Sequence, residues 1–356
     1  MAKRKSAPSS KNQKGFSYCD QPEPIVRDFA PNINGERLSA IVSNEKKWVN
    51  GTTLNYYFFT KAGWRGSPGD KDVVREAFKV WKDVGIGLEF HEVADIDDAE
   101  IRIGFEKGAG SWSYLGRDIL EQGQTERTMN FGWSLTHDLD TAIHEIGHTL
   151  GMPHEHQNPK AGIVWDEEAV YDALGKPPNS WSREQTHWNI IRKLSPHEVD
   201  GTDWDKDSIM HYPFEAGLIK EPAEFKTRPL VPASGLSDKD KAWIKNVYPA
   251  LSNSDYKVLK PFDSVSTKLT AGEQMNFRIH PSATRQYNFA TFGQSDTVMV
   301  LFEEVDGDLK YVTADDDSGE DFNAEFSQKL FAGRRYVLRV RLYWQNREGD
   351  FAVMMW

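Results

Sequence analysis

His144-Glu145-Ile146-Gly147-His148-Thr149-Leu150-Gly151-Met152-Pro153-His154 decides how the rest of the chain reads. On a helix, residues four apart share a face, so His144 and His148 can aim two imidazoles at one metal ion. Gly151 lets the chain leave the helix through left-handed or tightly bent backbone. Pro153 stops the helix from resuming, and the turn can return His154 as a third ligand. Three neutral imidazoles leave the fourth position of a tetrahedral zinc open to water, the layout of a catalytic site. Glu145, beside the first ligand, is placed to take a proton from that water. Leu139, Ile143, Ile146 and Leu150 form an apolar stripe on the opposite side of the wheel from the two histidines. The spacing predicts a helix over about 138–150 that buries one face and presents ligands from the other.

A second motif follows, Ser208-Ile209-Met210-His211-Tyr212. With the long zinc signature it resembles the metzincin zinc peptidases, and its S-x-M-H-Y form most resembles the astacin family. The resemblance implies a zincin-like α+β catalytic domain, with a twisted mixed sheet and a zinc-binding active-site helix. It also implies one catalytic Zn2+ on His144, His148 and His154, Glu145 as general base, and a protein or peptide substrate. Met210 would be the apolar floor of a methionine turn, and Tyr212 a hydrogen-bond donor to the developing oxyanion. Taken alone, Met210 and Tyr212 read as ordinary core residues.

Further segments carry the resemblance. Leu54–Phe59 looks like the family's first strand, Ala99–Phe105 like its edge strand, and Gly110–Gly116 like the segment after it. In the family an extended substrate pairs with the edge strand. The chain departs from the pattern after Glu155, where His156-Gln157-Asn158-Pro159 replaces an Arg- and Asp-rich run. The family's pairing of this glutamate with a processed N-terminus is left open, and its disulfides cannot form from a single cysteine. His156 could line the cleft, and neither His156 nor His211 is assigned a catalytic role.

The 356 residues suffice for two domains. Residues 1–35 read as a basic flexible tail or pro-segment, 36–250 as the peptidase domain, and 256–356 as a β-sandwich. In the last part, short alternating runs are separated by turn residues; Tyr336–Leu342 is apolar on one side and mostly basic on the other. Ser295–Leu301, Asp315–Gly319 and Phe331–Tyr336 resemble the C-terminal pre-peptidase domain of bacterial secreted proteases. Asp315, Asp316 and Asp317 offer hard oxygen ligands for Ca2+; the plainer reading, a solvated acidic turn, is preferred.

The formal net charge is −11, and the first 19 residues contribute five cations and no acid. An acidic body argues against nucleic-acid binding. No apolar run approaches the roughly 20 residues of a membrane span, and a monomer is expected. Metzincins are usually secreted, yet the basic start lacks the apolar segment of a signal peptide. Secretion is the preferred expectation and a cytoplasmic location the alternative. A binding or adhesion protein, with the sandwich carrying the function and an inactive zinc domain, is the rival to the peptidase; the intact Glu145 argues against it.

Cys19 sits in Phe16-Ser17-Tyr18-Cys19-Asp20-Gln21-Pro22. A tethered thiolate could occupy the open zinc position and exclude water, with Asp20 as the rival ligand. A free thiol in or near a flexible tail is the preferred reading.

Overall fold

The structure, a computed structural model, describes residues 16–22, 46–48, 50–195, 203–250, 256–305, 308–344 and 347–356. The tail reading of residues 1–15 and the extended segment over 23–35 lie outside the described residues.

Helix α1 (Pro68–Asp83) starts where Ser67 accepts a hydrogen bond from Asp70 N and Pro68 presets the first turn. It buries Val74, Ala77, Phe78 and Trp81. Strands β1 (Thr53–Phe58), β2 (Glu89–Glu92), β3 (Ile101–Gly104), β4 (Trp112–Ser113) and β5 (Met129–Asn130) form a sheet in the order β2-β1-β3-β5-β4. All pairings are parallel except β4 on β5. The mixed sheet agrees with the expected architecture, but β3 is not an edge. All four of its residues are buried, as an interior parallel strand requires. The edge beside the site is β4, the 110–116 segment, and this corrects the assignment of Ala99–Phe105.

Helix α2 (Leu139–Thr149) is capped by Asp138, whose side chain accepts from Thr141 N at 3.2 Å. Its stripe Ile143, Ile146 and Leu150 joins Trp81, Leu54 and Ile103 in one core. Trp81 Nε1 donates to Ile143 O at 3.0 Å and ties α1 to α2. Trp48 Nε1 donates to Thr149 O (2.7 Å) and Tyr248 Oη to Leu150 O (2.9 Å), which satisfies carbonyls at the helix end. Beyond α2 come a two-stranded ribbon, β6 (Val164–Trp165) with β7 (Ile219–Glu221), and helices α3 (Glu167–Leu174), α4 (Arg183–Thr186) and α5 (Asp238–Val247). Helix α5 opens on the expected capping box of Ser237 and Asp240.

From Lys257 onward the described chain is β apart from one 3-10 turn (Glu320–Phe322), in two sheets that face each other across a core containing Phe277, Phe289, Leu301, Leu338 and Val353. This is the expected sandwich. Its strand Arg335–Leu342 is buried on both sides. The basic side is not a solvent face: Arg339 reaches back to Asn50 O in the N-terminal part of the chain and to Asn276 Oδ1 at 2.7 Å.

Candidate metal centre and its cover

The spacing of four places the His144 and His148 rings 4.7 Å apart on one face of α2. Gly151 takes φ +89°, the left-handed turn expected of it. Met152 N then donates to Gly147 O at 3.0 Å, the chain reverses, and His154 returns with its Nε2 3.1 Å from His148 Nε2. His144 Nδ1 donates to Ile209 O (2.7 Å) and His148 Nδ1 to Met152 O (2.8 Å). Carbonyl oxygens only accept, so these bonds fix the protons on Nδ1 and leave both Nε2 lone pairs facing inward. His144 Nε2 is buried with no hydrogen-bond partner.

A fourth ligand atom comes from the N-terminal segment. Cys19 Sγ lies 3.6 Å from His148 Nε2 and 3.5 Å from Glu145 Oε2. Among the described residues, Cys19, His144, His148 and His154 are the one group whose ligand atoms could share an ion; these atoms lie within 4.8 Å of one another and all four residues are buried. With zinc bonds of about 2.05 Å to nitrogen and about 2.3 Å to sulfur, tetrahedral N–N and S–N edges are about 3.3 and about 3.6 Å. The His148–His154 and Cys19–His148 separations lie within a few tenths of an ångström of these values. A soft sulfur with three imidazoles is a donor set suited to zinc. The sequence alone favours a free thiol in or near a flexible tail; Cys19 is instead 5% exposed and directed into the centre. Asp20 does not join the group, because its carboxylate accepts from Gln185 Nε2 (2.6 Å) and Asn189 Nδ2 (3.2 Å).

Burial sets the electrostatics. It lowers the His144 pKa to about 4, against a smaller opposing effect of its bond to Ile209. It lowers His148 and His154 well below the usual range, with the neighbouring imidazoles adding to the shift. Neutral imidazole is the form that binds metal. Burial also pushes the Glu145 carboxyl and the Cys19 thiol up.

Met210 lies under the helix with 1% exposure. A Cβ on Gly147 would overlap its Sδ, so the glycine inside the signature lets the methionine pack directly against the helix. The methionine turn hangs from α5: Ser208 Oγ donates to Asp240 Oδ1 (2.6 Å) and Ile209 N to Asp240 Oδ2 (2.8 Å). Tyr212 Oη donates to Cys19 O at 2.9 Å and stands against His154 Nε2. His156 is buried, donates from Nε2 to Asn189 O (2.9 Å) and stacks on Tyr212 with ring centroids 4.7 Å apart.

The calcium expectation finds no support. Asp315 already accepts from Ser318 N in its own turn (3.0 Å) and from Glu325 N at the start of the next strand (2.8 Å), and Asp315, Asp316 and Asp317 form no candidate metal group among the described residues.

The family model for astacin, a peptidase family, matches residues 40–169. Zinc metalloproteinase nas-36 of Haemonchus contortus is 32% identical over 184 residues, 51% of this chain and 26% of that protein. A solved structure of myroilysin is 33% identical with a TM-score of 0.52, covering 58% of this chain and 97% of that one. This chain belongs to the astacin family. The C-terminal strands give a likeness to the pre-peptidase C-terminal domain of Bacillus anthracis collagenase, at 15% identity and a TM-score of 0.25, over 30% of this chain and 99% of that one. The chain spans only 26% of the length of nas-36 and 34% of karilysin from Tannerella forsythia.

Several residues around this astacin-type centre had no signal in the zinc signature. Asn179, Trp181, Gln185, Asn189 and Phe214 all touch the segment that covers the metal site. The available cue was Ser182 three residues ahead of Gln185, a helix-start pattern flanked by Trp181 and Trp188.

Proposed function

We propose that this chain is a zinc endopeptidase held latent by residues 16–22, with Cys19 as the fourth ligand. The observation that supports this most is the convergence of three imidazoles and one thiol beside the Glu145 carboxylate. Bound zinc supplies Lewis-acid activation of water and of a peptide carbonyl. Glu145 accepts the proton of the attacking water on Oε2, the oxygen now facing Cys19 Sγ, and delivers it to the leaving amine. Tyr212 Oη, which now donates to the carbonyl of Cys19, donates to the substrate carbonyl oxygen as it becomes tetrahedral. Met210 supports the ligand cluster from below.

Latency follows from water exclusion. With zinc held by the three imidazoles, Cys19 Sγ would stand where the nucleophilic water must sit, so the segment must leave before turnover. Protein substrates and action outside the cell accord with family membership. Among the described residues no helix is long and apolar enough to cross a membrane.

The test is cleavage of casein by the Tyr18→Ala, Cys19→Ser, Asp20→Ala protein, whose cover has lost its side-chain anchors, with and without a chelator, beside the same protein carrying Glu145→Ala. Chelator should abolish cleavage, and the variant should keep its zinc while losing nearly all turnover. Near-normal cleavage by Glu145→Ala, or by metal-stripped protein, would end the reading.

A further inference from the structure

The covering segment shows what the cleft accepts on either side of the metal. Cys19 points to the metal centre, and its neighbours Tyr18 and Asp20 enter two lateral pockets, the alternation of an extended chain. The main chain is held by contacts blind to side-chain identity. Asn179 clamps one edge of the extended segment, its Oδ1 accepting from Tyr18 N (3.0 Å) and its Nδ2 donating to Phe16 O (2.9 Å). Asp20 N donates to Ser111 O (3.0 Å), just before edge strand β4. An extended substrate would find the same donors and acceptors.

Selection therefore falls on the pockets, and the two differ. Asp20 lies at the margin of a cavity of about 430 Å³ that runs on between Trp112 and Trp188, so longer side chains have room there. Tyr18 is enclosed, with 5% of its surface exposed. Its ring stacks on Phe214 (centroids 5.7 Å, 24°) and tilts against Tyr212 (5.2 Å) and Trp181 (6.2 Å). A planar ring satisfies three aromatic walls at once, and an aliphatic side chain of similar area does not.

We infer that the pocket walled by Trp181, Tyr212 and Phe214 is a substrate subsite for an aromatic side chain, so that this enzyme favours peptide bonds close to a tyrosine, phenylalanine or tryptophan. The inference rests on the peptidase reading, with Asn179 as the backbone clamp that delivers the ring to its walls.

The test uses the full chain carrying Tyr18→Ala, Cys19→Ser and Asp20→Ala, which removes the side-chain anchors of its own cover. The probes are synthetic heptapeptides of residues 16–22 with serine in place of Cys19, bearing Tyr, Phe, Leu or Ala at position 18; binding is read from tryptophan fluorescence. The phenylalanine peptide should bind within about threefold of the tyrosine peptide and the alanine peptide about tenfold or more weakly. Trp181→Leu in the host should collapse that ratio. Equal binding of the alanine and tyrosine peptides, or no binding by any of them, would overturn the subsite. A cleavage profile on a random peptide library separates the two readings. Chelator-sensitive cleavage indifferent to aromatics removes the subsite and leaves the peptidase. Aromatic-selective binding without cleavage removes the peptidase and leaves the subsite.

Discussion

Replacing Cys19 by alanine removes one anchor of the cover and leaves two, so latency should be relieved only in part. Tyr18 buries an aromatic ring, which contributes about 2–3 kcal/mol. Asp20 adds two hydrogen bonds from Gln185 and Asn189, about 1 kcal/mol after allowance for its partial exposure. Together these leave an attraction of about 3–4 kcal/mol. Tethering presents the segment at an effective concentration of order millimolar, so the cover stays partly seated. Cys19→Ala should therefore behave as an enzyme with a built-in competitive inhibitor: cleavage of a fluorogenic peptide appears, with a raised apparent KM and a kcat near that of the triple variant Tyr18→Ala, Cys19→Ala, Asp20→Ala. Cobalt substitution gives a readout independent of turnover, because the thiolate-to-cobalt charge-transfer band of the wild type should vanish in Cys19→Ala. If Cys19→Ala stays as inactive as wild type and its cobalt spectrum is unchanged, the thiol is not a ligand and the latency argument fails.

Asp240→Asn should loosen the methionine turn, since an amide cannot accept from both Ser208 and Ile209 as the carboxylate does. A loss of about 2–4 kcal/mol in urea unfolding, with faster zinc release to a chromogenic chelator, is expected. Gly147→Ala pushes a methyl into Met210 Sδ and should cost about 1–3 kcal/mol, again with weaker zinc retention. Asp70 feels burial, which raises its pKa, but hydrogen bonds from Leu135 N, Ser67 and Ser134 and the nearby Lys107 outweigh it and hold the carboxyl low. A depressed carboxylate stabilises the fold above its unfolded pKa of about 4 and loses that contribution as pH falls through the folded value. Asp70→Asn should then lower stability at pH 7 by about 1–2 kcal/mol and flatten the acid limb of stability against pH in denaturant titrations.

What could be read in the chain beforehand was whatever is encoded at short range. The spacing of His144, His148 and Gly151 is a statement about one helix and its exit, and the structure reproduces it down to the left-handed Gly151. The box Ser237-x-x-Asp240 was likewise local, yet its larger role was not. Asp240 supports the methionine turn across 31 and 32 residues of sequence, and nothing in a capping pattern says what else its carboxylate will hold. The edge strand was misassigned for a related reason. Ala99–Phe105 was placed at the edge by resemblance, and nothing local in it says which strands will flank it: β1 and β5 pair on either side, and Arg102 is buried, bonding to backbone carbonyls such as Glu126 O.

Cys19 was the hardest residue to read, and the reason generalises within this fold. A lone thiol ahead of a domain carries no periodicity, so composition favours a solvated tail. Its place is decided by its neighbours: Tyr18 needs three aromatic walls, and those come from Trp181, Tyr212 and Phe214, contributed by two separate loops. Asp20 needs amides from Gln185 and Asn189. Successive side chains of an extended segment alternate in direction, so a chain with Tyr18 and Asp20 both seated turns the side chain between them the other way, which here is toward His148 and Glu145. The thiol's position is thus a consequence of Tyr18 and Asp20. Moving the cysteine by one residue, as in Cys19→Ser with Asp20→Cys, should lose the cobalt–thiolate band while the aromatic anchor stays seated.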